Sequence, residues 1–189
     1  SYEKYRDSAM IRPTVEALDR IMAAPDTASL NYYAKGSHSR WCWCDAIFMG
    51  PTVYARVGRV TGDRRYYDCL DREFRVTCDT LYCPEERLFF RDTRYIGMRE
   101  RNGERVFWGR GNGWVTAGLT VIIDNMPDDY PAKTRYVTLF REMMERIAGL
   151  QGADGFWHAS LLDPASYPAP ETSATGFFTY SLLWGVNRG

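Results

Sequence analysis

Phe107-Trp108-Gly109-Arg110-Gly111-Asn112-Gly113-Trp114 runs into Val115-Thr116-Ala117-Gly118-Leu119-Thr120-Val121-Ile122-Ile123-Asp124. The first eight residues hold two indoles, a guanidinium, a carboxamide and three glycines. Glycine lets backbone bend and approach closely, tryptophan offers a flat stacking face, and arginine offers a fork suited to carboxylates. The run from Val115 to Asp124 is apolar enough for a buried helix. The whole stretch reads as the mouth of an inner helix with aromatic and cationic groups gathered there. Two uses fit that pattern: a tight turn with two core tryptophans, or a ligand site.

Other stretches share its character. Trp41-Cys42-Trp43-Cys44-Asp45-Ala46-Ile47-Phe48-Met49, continuing to Gly58, is apolar nearly all round with Asp45 near its start. The last helix, predicted from Gly176 to Val186, is the same, and Glu171-Thr172-Ser173-Ala174-Thr175 precedes it. Between these lie amphipathic segments at residues 2–23, 64–81 and 132–150, the first started or kinked at Pro13. Gly62-Asp63 ends one helix and caps the next. Leu88-Phe89-Phe90-Arg91 and Gly155-Phe156-Trp157-His158 read as matching extended pieces, which puts Arg91 and His158 at equivalent positions. The unit of amphipathic helix, extended turn and apolar helix recurs with a period of about 60–70 residues.

Apolar helices inside and amphipathic helices outside give an all-α toroid, with the starts of the inner helices converging on one face. Asp45, the Trp108–Trp114 cluster and Glu171 all sit at such starts. Helix N-termini favour anions, so the pattern predicts an anionic ligand. An open arc of such a toroid would expose apolar inner helices at its edges and invite self-association.

Composition narrows the field. Lys+Arg and Asp+Glu both number 24 in 189 residues, so no overall field favours nucleic acid or a membrane surface. No run of about 18 apolar residues is present to span a bilayer. Cys42, Cys44, Cys69, Cys78 and Cys83 form no Cys-x-x-Cys pair, and His38 and His158 are far apart. The thiols read as free and buried, with no sign of a metal or organic cofactor.

Asp45 lies among aromatic and apolar residues, where a carboxyl tends to keep its proton. It reads either as an acid catalyst or as a helix cap or partner of a nearby arginine. Arg110 reads either as the partner of a ligand carboxylate or as half of a structural ion pair. Trp108 and Trp114 offer stacking faces for a sugar ring, and at least one should face the cavity. Arg91 and His158 are candidates for the cleft. Glu171 is either a second site carboxylate or the first charge of its helix. An inverting glycosidase using Asp45 and Glu171 would need them roughly 6.5–9.5 Å apart.

Taken together, Trp43–Met49, Trp108–Trp114, Asp154-Gly155-Phe156-Trp157 and Pro170–Thr175 resemble the unsaturated rhamnogalacturonyl and glucuronyl hydrolases of glycoside hydrolase families 105 and 88, family 105 more closely. The resemblance implies an (α/α)6 barrel and removal of Δ4,5-unsaturated uronic acid from the non-reducing end of lyase-made oligosaccharides. It implies that Asp45 protonates the C4=C5 enol ether and that water adds at C5, after which the hemiketal opens. It carries Trp108, Arg110 and Trp114 over as substrate-binding residues, with Trp41, Arg91, His158 and Glu171 as further candidates. Family members are about twice as long, so residues 1–189 are expected to form a single domain that answers to the C-terminal half of a barrel. No position here matches the family's second acidic site residue, and some relatives carry histidine in the region of Leu88–Asp92.

Overall fold

The computed structural model describes residues 2–189. Its helices are α1 (Tyr2–Tyr5), α2 (Arg12–Ala23), α3 (Ala46–Met49), α4 (Pro51–Thr61), α5 (Arg65–Leu81), α6 (Gly109–Asn125), α7 (Lys133–Ala148) and α8 (Thr172–Val186). A two-stranded antiparallel ribbon, β1 (Tyr82–Cys83) and β2 (Leu88–Phe89), follows α5, with Tyr82 opposite Phe89. Helix α6 lies in the middle and touches α3, α4, α7 and α8. Helices α3, α4, α6 and α8 form the inner layer, and α2, α5 and α7 cover it.

The outer layer is fastened by tyrosine–aspartate contacts. The hydroxyls of Tyr66, Tyr130 and Tyr136 donate to Asp19, Asp68 and Asp71 at 2.8, 2.8 and 3.0 Å. Each ring is buried while its polar tip finds a carboxylate, so large aromatics enter the core with no unpaired hydroxyl.

Two helix boundaries differ from the sequence expectation. The helix expected to run through to Gly58 is broken at Gly50-Pro51. Proline has no N–H to donate, and the Trp41 indole fills the space beside residue 50: a Cβ on Gly50 would lie 2.5 Å from its Nε1. Helix α6 begins at Gly109, so Arg110, Asn112 and Trp114 stand on its first turns and not in a loop before it. Its glycines have helical backbone. They serve close approach: a Cβ on Gly109 would meet the His158 carbonyl at 2.6 Å, and one on Gly118 the Ile47 carbonyl at 3.0 Å.

The repeat is real, but its register is set by backbone bonds. Cys44 N–H donates to the Arg91 carbonyl and Gly109 N–H to the Ala159 carbonyl, both at 2.8 Å. Trp43 bridges Asp92 as Trp108 bridges Ser160. Arg91 therefore corresponds to Ala159, one residue beyond the expected partner His158. Backbone groups carry this register, which is why side-chain similarity misplaced it.

Among the described residues no helix is long and apolar enough to cross a membrane. All five cysteines are free; Cys42, Cys44, Cys69 and Cys83 are buried and Cys78 is half-buried. Helix α8 is apolar on every side, yet it leaves Tyr180, Leu183 and Val186 exposed, as expected for the open edge of an arc.

One side chain ties the centre together. Asn112, fully buried, accepts from the Phe89 N–H at 2.8 Å and donates to the Phe89 and Trp108 carbonyls at 3.0 and 3.1 Å. Replacing it strands buried donors and acceptors on β2. Asn112→Ala is expected to lower unfolding stability by about 2–4 kcal/mol, measured by urea denaturation.

Candidate active site

The starts of the inner helices meet as expected. Asp45 immediately precedes α3, is 8% exposed, and makes no side-chain capping bond to that helix. The Cys44 thiol lies 3.9 Å from its Oδ2. Burial pushes the Asp45 carboxyl above its ordinary range, while its own backbone N–H and the charges of Arg91 and Arg110 pull the other way without overcoming it. The Asp45 side chain therefore does not cap α3, and among the described residues it forms no ion pair; it is a carboxyl whose burial favours the protonated form, beside two cations.

Those cations share one indole. The Arg110 guanidinium carbon lies 4.2 Å from the Trp108 ring centroid and that of Arg91 lies 5.8 Å away. Trp108 in turn packs over α6: a Cβ on Gly111 would stand 2.8 Å from its ring and 2.9 Å from the Cys44 sulfur. Glycine at 111 is what lets the indole, the thiol and hence Asp45 crowd together. One turn further along, the Trp114 ring lies 4.9 Å from Phe48 of α3 and 4.4 Å from Phe177 of α8. These rings form a half-buried aromatic floor across the three inner helices.

Glu171 has a structural task. It caps α8 by accepting from the Ala174 N–H, accepts from Ser173 Oγ at 2.6 and 2.9 Å, and pairs with Arg110 at 3.2 Å. Burial works to raise its pKa, but these partners outweigh it and hold the carboxyl below the usual range. One contact joins the two residues: Arg110 forms an ion pair with Glu171, which also caps α8.

Two candidates lie elsewhere. The Trp41 ring packs over Gly50 and stands edge-on to Tyr54 with centroids 6.1 Å apart, a packing role between the ends of α3 and α4. His158 turns to Asp154 at 3.7 Å and the Ala169 carbonyl at 3.3 Å, and only its backbone abuts α6. It sits one register position before the residue equivalent to Arg91, so its ring faces the loop rather than the cluster.

Asp92 was not anticipated. It is fully buried and receives Arg94 Nε and Nη2 at 2.9 Å each, the Arg94 N–H at 3.0 Å and Arg91 Nη1 at 3.0 Å. Burial alone would raise its pKa, but Arg94's hydrogen bonds and the charges of both arginines take it below the ordinary value. The signal available was an acidic residue between two arginines in Arg91-Asp92-Thr93-Arg94, just after an apolar extended stretch.

The fold and this cluster define an arc of helical toroid with a buried carboxyl, two guanidiniums and stacking rings at its mouth. The profile of Glycosyl Hydrolase Family 88 matches residues 1–189, and the chain belongs to that family. It is 44% identical over 188 residues to an "Unsaturated 3S-rhamnoglycuronyl hydrolase" of Alteromonas sp. (strain LOR), covering 94% of this chain and 46% of that protein. A solved structure named "Glycosyl hydrolase family 88 from Bacteroides vulgatus" superposes with a TM-score of 0.90 at 32% identity, covering 100% of this chain and 51% of that one. A second, named "Polysaccharide Lyase BACCELL_00875", superposes with a TM-score of 0.89 at 32% identity, again over 100% and 51%. The architecture is that of the (α/α)6 toroid, and the chain spans about half the length of these relatives.

The raised Asp45 pKa has a thermodynamic sign. The folded state holds this proton more tightly than the unfolded chain, so the carboxyl takes stability away as pH rises through the interval between the unfolded value, about 3.9, and the raised folded one. Below that interval both states are protonated and the penalty vanishes. Asp45→Asn is expected to melt higher than wild type at neutral pH, with the difference closing as pH falls below about 4, read by calorimetry across pH.

Proposed function

We propose that the complete gene product hydrolyses unsaturated uronyl oligosaccharides by hydrating the C4=C5 bond, with Asp45 as the acid. The observation that carries this is a buried carboxyl, free of capping duty, whose pKa burial raises and which lies beside guanidiniums. Hydration of an enol ether begins with proton delivery to carbon, which needs such an acid at neutral pH. Water then adds at C5 while the carboxylate left on Asp45 takes one of its protons, which restores the acid, and the hemiketal opens. Trp108 and Trp114 present ring faces for the sugar, and the Arg91 guanidinium beside Trp108 favours an anionic one. The name of the Alteromonas relative agrees with this substrate class.

The neighbouring structure named as a polysaccharide lyase raises the opposite chemistry, elimination that creates the double bond. Elimination needs an ionised base, and the burial of Asp45 works against that. An inverting hydrolysis with Glu171 as base is disfavoured likewise, because Glu171 is engaged by Ser173, the Ala174 N–H and Arg110.

The sign of an absorbance change separates hydration from elimination. Incubation of the complete gene product with unsaturated uronyl disaccharides is expected to remove the ultraviolet band of the conjugated double bond. Asp45→Asn should slow that loss by at least about a hundredfold, the lower end for a general acid. A rise in the band on saturated polysaccharide, or undiminished activity in Asp45→Asn, would overturn the reading.

A further inference from the structure

The cations of the cluster are not equivalent. Arg110 is paired with Glu171, so that pair is neutral. Arg91 and Arg94 share the single carboxylate of Asp92, which leaves one positive charge uncompensated. Arg94 is committed: two of its nitrogens bind Asp92, and its guanidinium carbon lies 3.4 Å from the Tyr32 ring centroid. Arg91 gives Asp92 only Nη1, and among the described residues its side chain makes no other hydrogen bond. Its guanidinium lies between Tyr95 and Trp108, at 5.7 and 5.8 Å from their centroids, and is one-third exposed. The remaining donors of its fork are unused among the described residues, and its charge acts on the Asp45 carboxyl.

We propose that Arg91, and not Arg110, takes the carboxylate of the unsaturated uronyl ring, and that Asp92 is the positioning residue that holds Arg91 in place for it. This deepens the functional reading above and rests on it. A guanidinium held by one nitrogen on a buried carboxylate keeps a fixed direction and still has two nitrogens for a second carboxylate. The Cys44 N–H bond to the Arg91 carbonyl fixes the backbone beside Asp45 at 2.8 Å, so the arginine and the acid are held on one frame. A substrate carboxylate at Arg91 brings the ring of the same sugar over Trp108, next to the carboxyl that must protonate it. Arg110 then serves to hold Glu171, and through it the start of α8.

The test compares an unsaturated uronyl disaccharide with its methyl ester, which removes the negative charge and leaves the double bond. In the complete gene product, Arg91→Gln and Asp92→Asn are each expected to raise KM for the free acid about tenfold or more, the worth of one charge-assisted hydrogen bond. Their kcat should change far less, and KM for the ester should not move. The double variant should be no worse than Arg91→Gln alone, because both act through one guanidinium. Arg91→Lys should recover part of the preference for the acid. Arg110→Gln should keep that preference while lowering the melting temperature. A folded Arg91→Gln that still prefers the acid as wild type does, or an Arg110→Gln that loses the preference, overturns the proposal. Should Asp92→Asn fail to fold, Arg91→Gln carries the test alone. Wild type with no turnover would instead count against the functional reading. Calorimetric titration of Asp45→Asn with and without Arg91→Gln, using the same two disaccharides, would then decide the arginine's role by binding: equal affinity of both proteins for the acid overturns it.

Discussion

Everything at the mouth of this protein depends on how closely the first turns of α6 approach their neighbours. At Gly109, Gly111 and Gly113 a Cβ would fall within 3 Å of the His158 carbonyl, of the Trp108 ring and Cys44 sulfur, and of the Phe177 side chain, respectively. Such separations are below contact distance, so any side chain there would push an inner-layer partner away. Because the helix is bare on those positions, the backbones of the next unit, the indole and the thiol before Asp45 all come to its surface. Asn112 lies between the glycines and turns the same proximity into hydrogen bonds with β2. The glycines create the approach, and the asparagine satisfies the polar backbone that the approach buries.

That packing explains the electrostatics. A carboxyl beside two guanidiniums would ordinarily be ionised, yet Asp45 is not paired with either of them. Asp92 and Glu171 take the arginines instead, one by burial among Arg91 and Arg94, the other through a helix cap reaching to Arg110. Each of these carboxylates is held below the usual range and Asp45 above it. The same residue type thus titrates in opposite directions within one cluster. The cause is that Asp92 and Glu171 are given enough hydrogen-bond donors and cations to outweigh their desolvation, and Asp45 is not.

Much of this was legible in the chain. The alternation of amphipathic and apolar helices follows from periodicity alone, and it places Asp45, Trp108–Trp114 and Glu171 at the inner starts. Pro13 stands in the first turn of α2, where its missing N–H costs nothing. Elsewhere side-chain resemblance misled. Phe156-Trp157-His158 looks like Phe89-Phe90-Arg91, but the bonds that define the register run through the backbone, and these place Ala159 and not His158 opposite Arg91. Trp41 has the flat face of a sugar platform, yet Gly50 gives that face a packing partner.

The sequence by itself determined the layers, the order of the units, and the residue types that gather at the mouth, because hydrophobic period and glycine spacing are local properties. Only the tertiary structure decided which charges neutralise which. Arg110 and Glu171 are 61 residues apart, and nothing local says that they pair. Asp92 is a lone acid between arginines on paper, and becomes a buried anchor only once β2 lies against α6. The Asp45 carboxyl is shifted upward for the same reason: the desolvation that raises it and the distances that deny it a partner exist only after the inner helices have closed on one another.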